Sequence, residues 1–286
     1  MQTIEKINDR FWYQTPVSET DRPILGVVVG DDKTLMIDAG NSEAHAEYFL
    51  NELKEKGVPM PDFVVLTHWH WDHIFGLSAL DIPSISSAET KIEMKKLVPF
   101  SWSDEALDER VEAGIEIEFC ASAIKKEFGD RRDVRITLPT LTFDDQIEID
   151  LGGVTCILKK VGGDHASDSV VVYVKEEKIL FLADCIYVNL YAEKRHYITE
   201  EITRLLDELE KFDADYYVLS HWKPITKKEF EAEVKLLRDT ASLTEKLHGN
   251  TDAIKTAFEK KAGRPLNENE LETIQYFVNG YELKNK

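Results

Sequence analysis

Three imidazoles and a carboxylate fall within Thr67-His68-Trp69-His70-Trp71-Asp72-His73, in a chain with eight histidines in all. They follow directly on Phe63-Val64-Val65-Leu66, a short apolar run preceded by Pro61-Asp62. Such a run reads as a buried strand, because it is short, β-branched and bounded by turn residues. On an extended backbone His68 and His70, two apart, point to the same side. Asp72 and His73 come where the chain is leaving strand geometry, so they can face a second position nearby. One stiffly supported loop could therefore supply ligands to two metals.

Further ligand types recur at the ends of other predicted strands: His165 after Gly162-Gly163-Asp164, Asp184 after Lys178-Ile-Leu-Phe-Leu182, and Ser220-His221 after Tyr216-Tyr-Val-Leu219. His68, His70 and His165 could bind one metal, and Asp72, His73 and His221 a second, with Asp184 bridging. Three neutral imidazoles with an open position make a catalytic rather than a structural zinc. Nitrogen and oxygen donors without thiolates suit Zn²⁺, with Mn²⁺, Fe²⁺ and Co²⁺ left open. Two such ions about 3.5–4 Å apart would share a water and lower its pKa toward neutrality. The resulting hydroxide could attack a carbonyl or phosphoryl group.

Strands are expected at 23–29 and 33–37 around the turn Gly30-Asp31-Asp32, the second ending in Asp38-Ala39-Gly40. Residues 43–56 read as a helix with Ala44, Tyr48 and Leu50-Leu53 on its apolar side and His45 on the surface; Gly57 and Pro59 stop it. A strand–helix–strand passage of this kind favours parallel pairing under a packed helix. A short helix at 74–80, a strand at 84–87 and a helix at 89–97 come next. Residues 98–133 hold aromatics among many charges and read as a mostly helical insertion near the site. Strands resume at 146–150, 155–161, 170–174 and 178–182, followed by a helix at 200–212 and a strand at 216–219. Helices fill the rest, at 227–247, 252–262 and 269–280.

The 286 residues suffice for one large domain or two small ones. Lys+Arg 35 against Asp+Glu 54 gives 35 − 54 = −19, a charge that repels phosphate backbones and disfavours a nucleic-acid partner. The pairs Lys95-Lys96, Lys125-Lys126 and Arg131-Arg132 are interleaved with acids and read as solvated helix faces. Cys120, Cys156 and Cys185 are widely spaced and form no disulfide framework or CxxC knuckle, which suits a reducing cytosol. The first thirteen residues carry charges throughout, unlike a secretory signal. No apolar stretch is long enough for a membrane span. A cytoplasmic protein acting on a small molecule is the expectation.

The pattern His68-x-His70-x-Asp72-His73, followed in order by His165, Asp184 and His221, resembles the metallo-β-lactamase-fold superfamily over roughly residues 20–225. The resemblance implies an α/β (α+β) fold, a four-layer αββα sandwich with the dimetal site at one edge between the sheets. It implies the ligand division given above. It also implies that Asp38 and Gly40 match an early Asp-x-Gly that supports the metal loop. Zinc β-lactamases place a cysteine where Asp184 stands, and Cys185 is one residue late. Asp184 fits the lactonase, thioesterase and phosphodiesterase branches instead. Tyr187 falls where similar lactonases carry a tyrosine that hydrogen-bonds the substrate carbonyl, and Tyr191 could take that role. Trp69 and Trp71 could wall the pocket, with Trp71 read as packing behind the loop.

The expected organisation is a catalytic domain over 1–248, including the insertion, and a helical extension over 249–286 that caps the sandwich or forms a homodimer contact. The expected function is a dinuclear-metal hydrolase, holding two Zn²⁺ per chain with Fe or Mn open. A bridging hydroxide would attack the carbonyl of a small ester, lactone, thioester or amide, with Asp72 and Tyr187 as catalytic side chains. An iron-dependent oxygen or sulfur oxidoreductase of the same fold and a phosphodiesterase are the alternatives.

Overall fold

Alternation along the strands dictates the architecture. In the computed structural model, which describes residues 2–130 and 132–285, strand residues of one parity fill a central core and those of the other meet helices. The first sheet is built from β1 (Ile4–Lys6), β2 (Phe11–Gln14), β3 (Leu25–Val29), β4 (Thr34–Ile37), β5 (Phe63–Val65), β6 (Ser84–Ser87) and β7 (Leu141–Phe143), adjacent in chain order. β1 to β4 pair antiparallel, and β4 to β7 pair parallel. The second sheet runs β8 (Gln146–Asp150), β9 (Thr155–Lys160), β10 (Val170–Val174), β11 (Ile179–Ala183), β12 (Tyr216–Leu219) and β13 (Ile225–Thr226). Its only parallel pair among the described residues is β11 with β12.

Val170, Val172, Val174, Ile179 and Phe181 face Phe11, Val28, Leu35, Ile37 and Val65 between the two sheets. The alternate residues Val171, Tyr173, Leu180 and Leu182 face outward, against α6 (Thr199–Leu209), α7 (Lys227–Lys246) and Phe277. On the far side Val27, Met36 and Val64 meet α1 (Glu43–Glu55), α3 (Ala88–Leu97), α4 (Asp104–Glu112) and α5 (Glu118–Phe128). The period-2 pattern of the strands thus makes four layers, helices–sheet–sheet–helices, as the αββα expectation requires. Among the described residues no helix is long and apolar enough to cross a membrane.

Three expectations need correction. The buried side of α1 is His45, Ala46, Phe49 and Leu53; Ala44 is exposed and Tyr48 only partly covered. Phe49 and Leu53, four apart, set the face, and it carries His45 inward. The helix expected at 74–80 starts earlier, as α2 (Trp71–Ile74), and continues as a 3₁₀ turn over Phe75–Ala79. Asp72 and His73 therefore stand in the helix's first turn. Finally, β1, β2, β7 and β13 were not anticipated as strands. β2 complements the antiparallel edge of β3, and the three-residue β7 is held only by pairing to β6.

The tail consists of α8 (Thr251–Ala262) and α9 (Glu268–Lys284), which close a small core of Ile254, Phe258, Ile274 and Val278 against Leu236 and Leu243 of α7. Capping boxes at Thr226/Glu229 and Asn267/Glu270 fix the starts of α7 and α9. Helix α9 also docks on the segment that leads into α6. Tyr197 N donates to the Tyr276 carbonyl, and a Cβ on Gly280 would lie 1.9 Å from the Tyr197 carbonyl oxygen. Arg131, half of one expected basic pair, lies outside the described residues.

Gly280→Ala should force α9 off that carbonyl. A loss of about 1–3 kcal/mol in urea unfolding is expected from such overpacking, and an unchanged midpoint would contradict this docking.

Candidate metal centre

The loop that leaves β5 is gripped by Asp38. This residue has a positive φ of 61° and is fully buried. Its Oδ1 accepts from Thr67 N at 2.8 Å, and its Oδ2 from Thr67 Oγ1 at 2.9 Å and from His73 Nδ1 at 2.8 Å. One carboxylate thus ties the first residue of the metal loop to the last. Gly76 lets the following turn close against that support, because a Cβ there would lie 2.1 Å from the Ala39 carbonyl oxygen. His45 packs behind the same loop, its Nδ1 facing Asn41 N at 3.4 Å and its Nε2 facing Gln2 Nε2 at 3.2 Å. It is a buried supporting residue rather than the surface residue expected.

The second sheet delivers the remaining groups. The β11–β12 register shifts between Phe181 and Ala183, and Ala183 takes φ 49°. This irregularity turns the chain just before Asp184. His165 Nδ1 lies 3.3 Å from the Val188 carbonyl, which orients the ring and leaves Nε2 facing inward without a hydrogen-bond partner.

The seven expected residues come together as two adjoining sets: His68, His70 and His165, then Asp72, His73, Asp184 and His221. Within each set the donor atoms lie within 4.8 Å of one another. His68 Nε2 and His70 Nδ1 are 3.0 Å apart. Asp184 Oδ2 sits between the sets, 3.3 Å from His73 Nε2 and His221 Nε2 and 3.5 Å from His165 Nε2. Asp72 Oδ2 lies 3.0 Å from His73 Nε2 and 3.1 Å from His221 Nε2. All but His221 are buried.

Charge shows what this arrangement lacks. Asp38, Asp72 and Asp184 have no Lys or Arg partner among the described ion pairs; their cationic neighbours are imidazoles. Burial raises Asp38 above the usual carboxylate range despite His73. Burial opposes ionisation of Asp72 and Asp184 too, yet His73 and His221 hold both well below that range. Conversely His73 and His221, against their burial, are held well above the usual imidazole range by these carboxylates. Burial and neighbouring imidazoles push His68 and His70 well below it, and burial lowers His165. The first set is three neutral nitrogen donors, and in the second two carboxylates hold positive charge on two imidazoles, a charge that a cation could supply in place of the protons. Both suit divalent cations, as do the orphaned His165 Nε2 and Asp184 Oδ1.

Asp21 joins this site without warning from the sequence. It caps a 3₁₀ turn at Ser18–Thr20 with φ 54°, and its Oδ1 lies 3.4 Å from His221 Nδ1. Burial, then the Asp72 charge, push it up to about 7.

Residues 25–221 match the family model described as the metallo-beta-lactamase superfamily. The chain belongs to that superfamily. A curated relative, acyl-coenzyme A thioesterase MBLAC2 of Homo sapiens, is 26% identical over 190 residues, 62% of this chain. The match spans 63% of that relative's length, less than two thirds. Similar solved structures include a metallo-beta-lactamase from Pontibacter korlensis, 20% identical with a TM-score of 0.58, covering 82% of this chain and 98% of the other. A stereoselective inverting sec-alkylsulfatase from Pseudomonas sp. is 14% identical with a TM-score of 0.66, covering 98% of this chain and 49% of the other. At these identities the structural likeness is one of fold.

The site floors a cavity of about 560 Å³. Tyr187 and Tyr191 both line it; their ring centroids lie 6.0 Å from His165 and 5.3 Å from His70 respectively. Trp69 stands beside His70 at 4.7 Å, while Trp71 is buried against Phe75 behind the loop. Lys223 does not reach the cavity and lies 3.6 Å from Glu229. The wall also includes Phe119 of the insertion and Asn269, Glu272, Thr273 and Tyr276 of α9. No motif in the sequence points to these tail residues.

Asp38→Asn keeps the size of the side chain but cannot serve Thr67 N, Thr67 Oγ1 and His73 Nδ1 together. Bound divalent metal should exchange to a chelator with a ten- to hundredfold weaker affinity; wild-type retention would mean that Asp38 does not brace the loop.

Proposed function

We propose that this chain is a dinuclear zinc hydrolase that cleaves the acyl bond of a small ester, lactone, thioester or amide. The observation that carries this reading is the convergence of two donor sets, with Asp184 Oδ2 between them, on the floor of a cavity walled by both apolar and acidic side chains. The thioesterase relative favours thioesters as the first class to assay. Three buried free cysteines suit a reducing, cytoplasmic compartment.

In this reading His68, His70 and His165 hold one ion, Asp72, His73 and His221 the other, and Asp184 serves both. When bound, the ions supply an activated water and a Lewis acid for the substrate carbonyl. The chain's own groups do the rest. Asp72 lies on the cavity floor, and its carboxylate, held against burial well below the usual range by His73 and His221, can accept a hydrogen bond from the attacking water and orient it. Tyr187 is held in its neutral phenol form by burial, with the Asp184 charge adding to it. A neutral phenol is a hydrogen-bond donor, fit to meet the oxyanion of a tetrahedral intermediate. Ile186, Val188 and Leu190 beside it offer an apolar bed for an acyl chain. Residues 249–286 form, on this reading, an extension to a catalytic domain over 1–248 that completes the substrate wall through α9.

Hydrolysis assays across thioesters, lactones, esters, phosphodiesters and a β-lactam, paired with metal analysis, test the reading. Activity confined to phosphodiesters, or an iron-loaded enzyme without hydrolysis, would refute it. Asp184→Ala should lower metal content and activity together, and two ions retained per chain would remove its bridging role. Tyr187→Phe should lower kcat on the order of 100-fold with metal retained; unchanged turnover would take the phenol out of the mechanism.

A further inference from the structure

A second, smaller cavity of about 150 Å³ lies behind the metal loop, between it and the insertion. Five aromatic side chains line it, Trp69, Trp71, Phe100, Trp102 and Tyr191, together with Arg110, Lys96, Glu93 and Glu116. The Arg110 guanidinium carbon sits 4.9 Å from the Phe100 ring centroid and 4.8 Å from that of Trp102. Its Nη1 donates to the Ser101 carbonyl at 2.8 Å, while Nε and Nη2 are buried without a partner. Trp71 Nε1 is also buried without a partner, but it faces the Cys120 thiol, which lines the larger cavity rather than this one. The other charged groups of the lining are engaged. Lys96 pairs with Glu93, and Glu116, whose Oε1 accepts from Ile117 N, also places its charge near Arg110, with which an occupant's carboxylate would compete.

Every unpartnered buried polar atom on the residues lining this cavity is therefore an N–H donor. Buried donors left unmade are costly, and guanidinium presents adjacent N–H groups in a fork that matches a carboxylate. A cavity of this size and character takes a ring the size of benzene. We propose that it is a binding site for a small aromatic carboxylate, with the ring between the indoles and the carboxylate on Arg110. The site is separate from the substrate cavity but shares Tyr191 with it. Trp69 and Tyr191, which touch this cavity, also flank the ligand residue His70. An occupant would thus touch the metal loop at Trp69 and Trp71, one side chain away from His70.

Three of the chain's five tryptophans line the cavity, which supplies the readout. Benzoate titrated into the purified protein should quench tryptophan fluorescence saturably, with calorimetry giving one site per chain. Benzyl alcohol, of similar shape but uncharged, should bind at least tenfold more weakly. Arg110→Met should weaken benzoate at least tenfold. Absence of saturable binding, equal binding of the alcohol, or unchanged benzoate binding in a folded Arg110→Met protein would overturn the proposal. The last result is the one expected of a carboxylate captured at the metals instead. Should Arg110→Met fail to fold, Ile115→Trp provides the second arm. Ile115 lines the cavity yet is 59% exposed, so an indole there fills the mouth from outside. Full benzoate binding in folded Ile115→Trp would equally sink the site.

Discussion

The structure depends on three buried carboxylates that have no permanent cation. Asp38, Asp72 and Asp184 are each almost wholly withdrawn from solvent, and histidines are their cationic partners. Isolated buried charges of this kind are tolerated only when paired or when they coordinate metal. The two sheets resolve the problem by converging at one edge. The first supplies Asp38, Asp72 and three imidazoles, and the second supplies His165, Asp184 and His221. Neither sheet alone supplies either donor set in full, so the centre is complete only where the two sheets pack together.

That dependence explains the backbone strain beside the site. Asp38 and Ala183 adopt positive φ, as does Asp21 behind His221. Left-handed conformations in residues with a Cβ persist only where surrounding contacts over-determine them. At Asp38 those contacts are the two Thr67 donors and the His73 ring. At Ala183 they include the β11–β12 pairing, with Ser220 N reaching the Ala183 carbonyl. In both places the chain is bent so that a carboxylate faces inward rather than along its strand.

Much of this was legible because the ligands sit at strand ends with strong local signals. His68 to His73 follow a four-residue apolar run, and β10 and β11 are nearly pure aliphatic strands whose ends carry no ambiguity. Two kinds of residue were hidden. Asp21 and His45 owe their place to contacts across the fold: His45 is buried only because Phe49 and Leu53 orient α1, and a spacing argument built on Ala44 and Tyr48 rotates it outward. Edge strands such as β7, exposed at Leu141 and Thr142, lack the apolar alternation that marks a strand and exist only through pairing with β6.

The outer wall of the cavity over the metal centre was hidden for a further reason. The family match ends at residue 221, and Trp222, Glu233, Glu272 and Tyr276 all line the cavity from beyond it. The insertion contributes Phe119 on another side, 49% exposed at the wall. Metal chemistry needs donors fixed to within fractions of an ångström, so it sits on strand ends and leaves a repeated, readable spacing. Substrate recognition needs only a shaped surface, which helices can supply with no fixed spacing between the residues used. The part of the chain that shapes that surface is therefore the part with no motif. Reaction type can be argued from the loop at His68, whereas substrate identity has to be argued from how α9 and the insertion close over it.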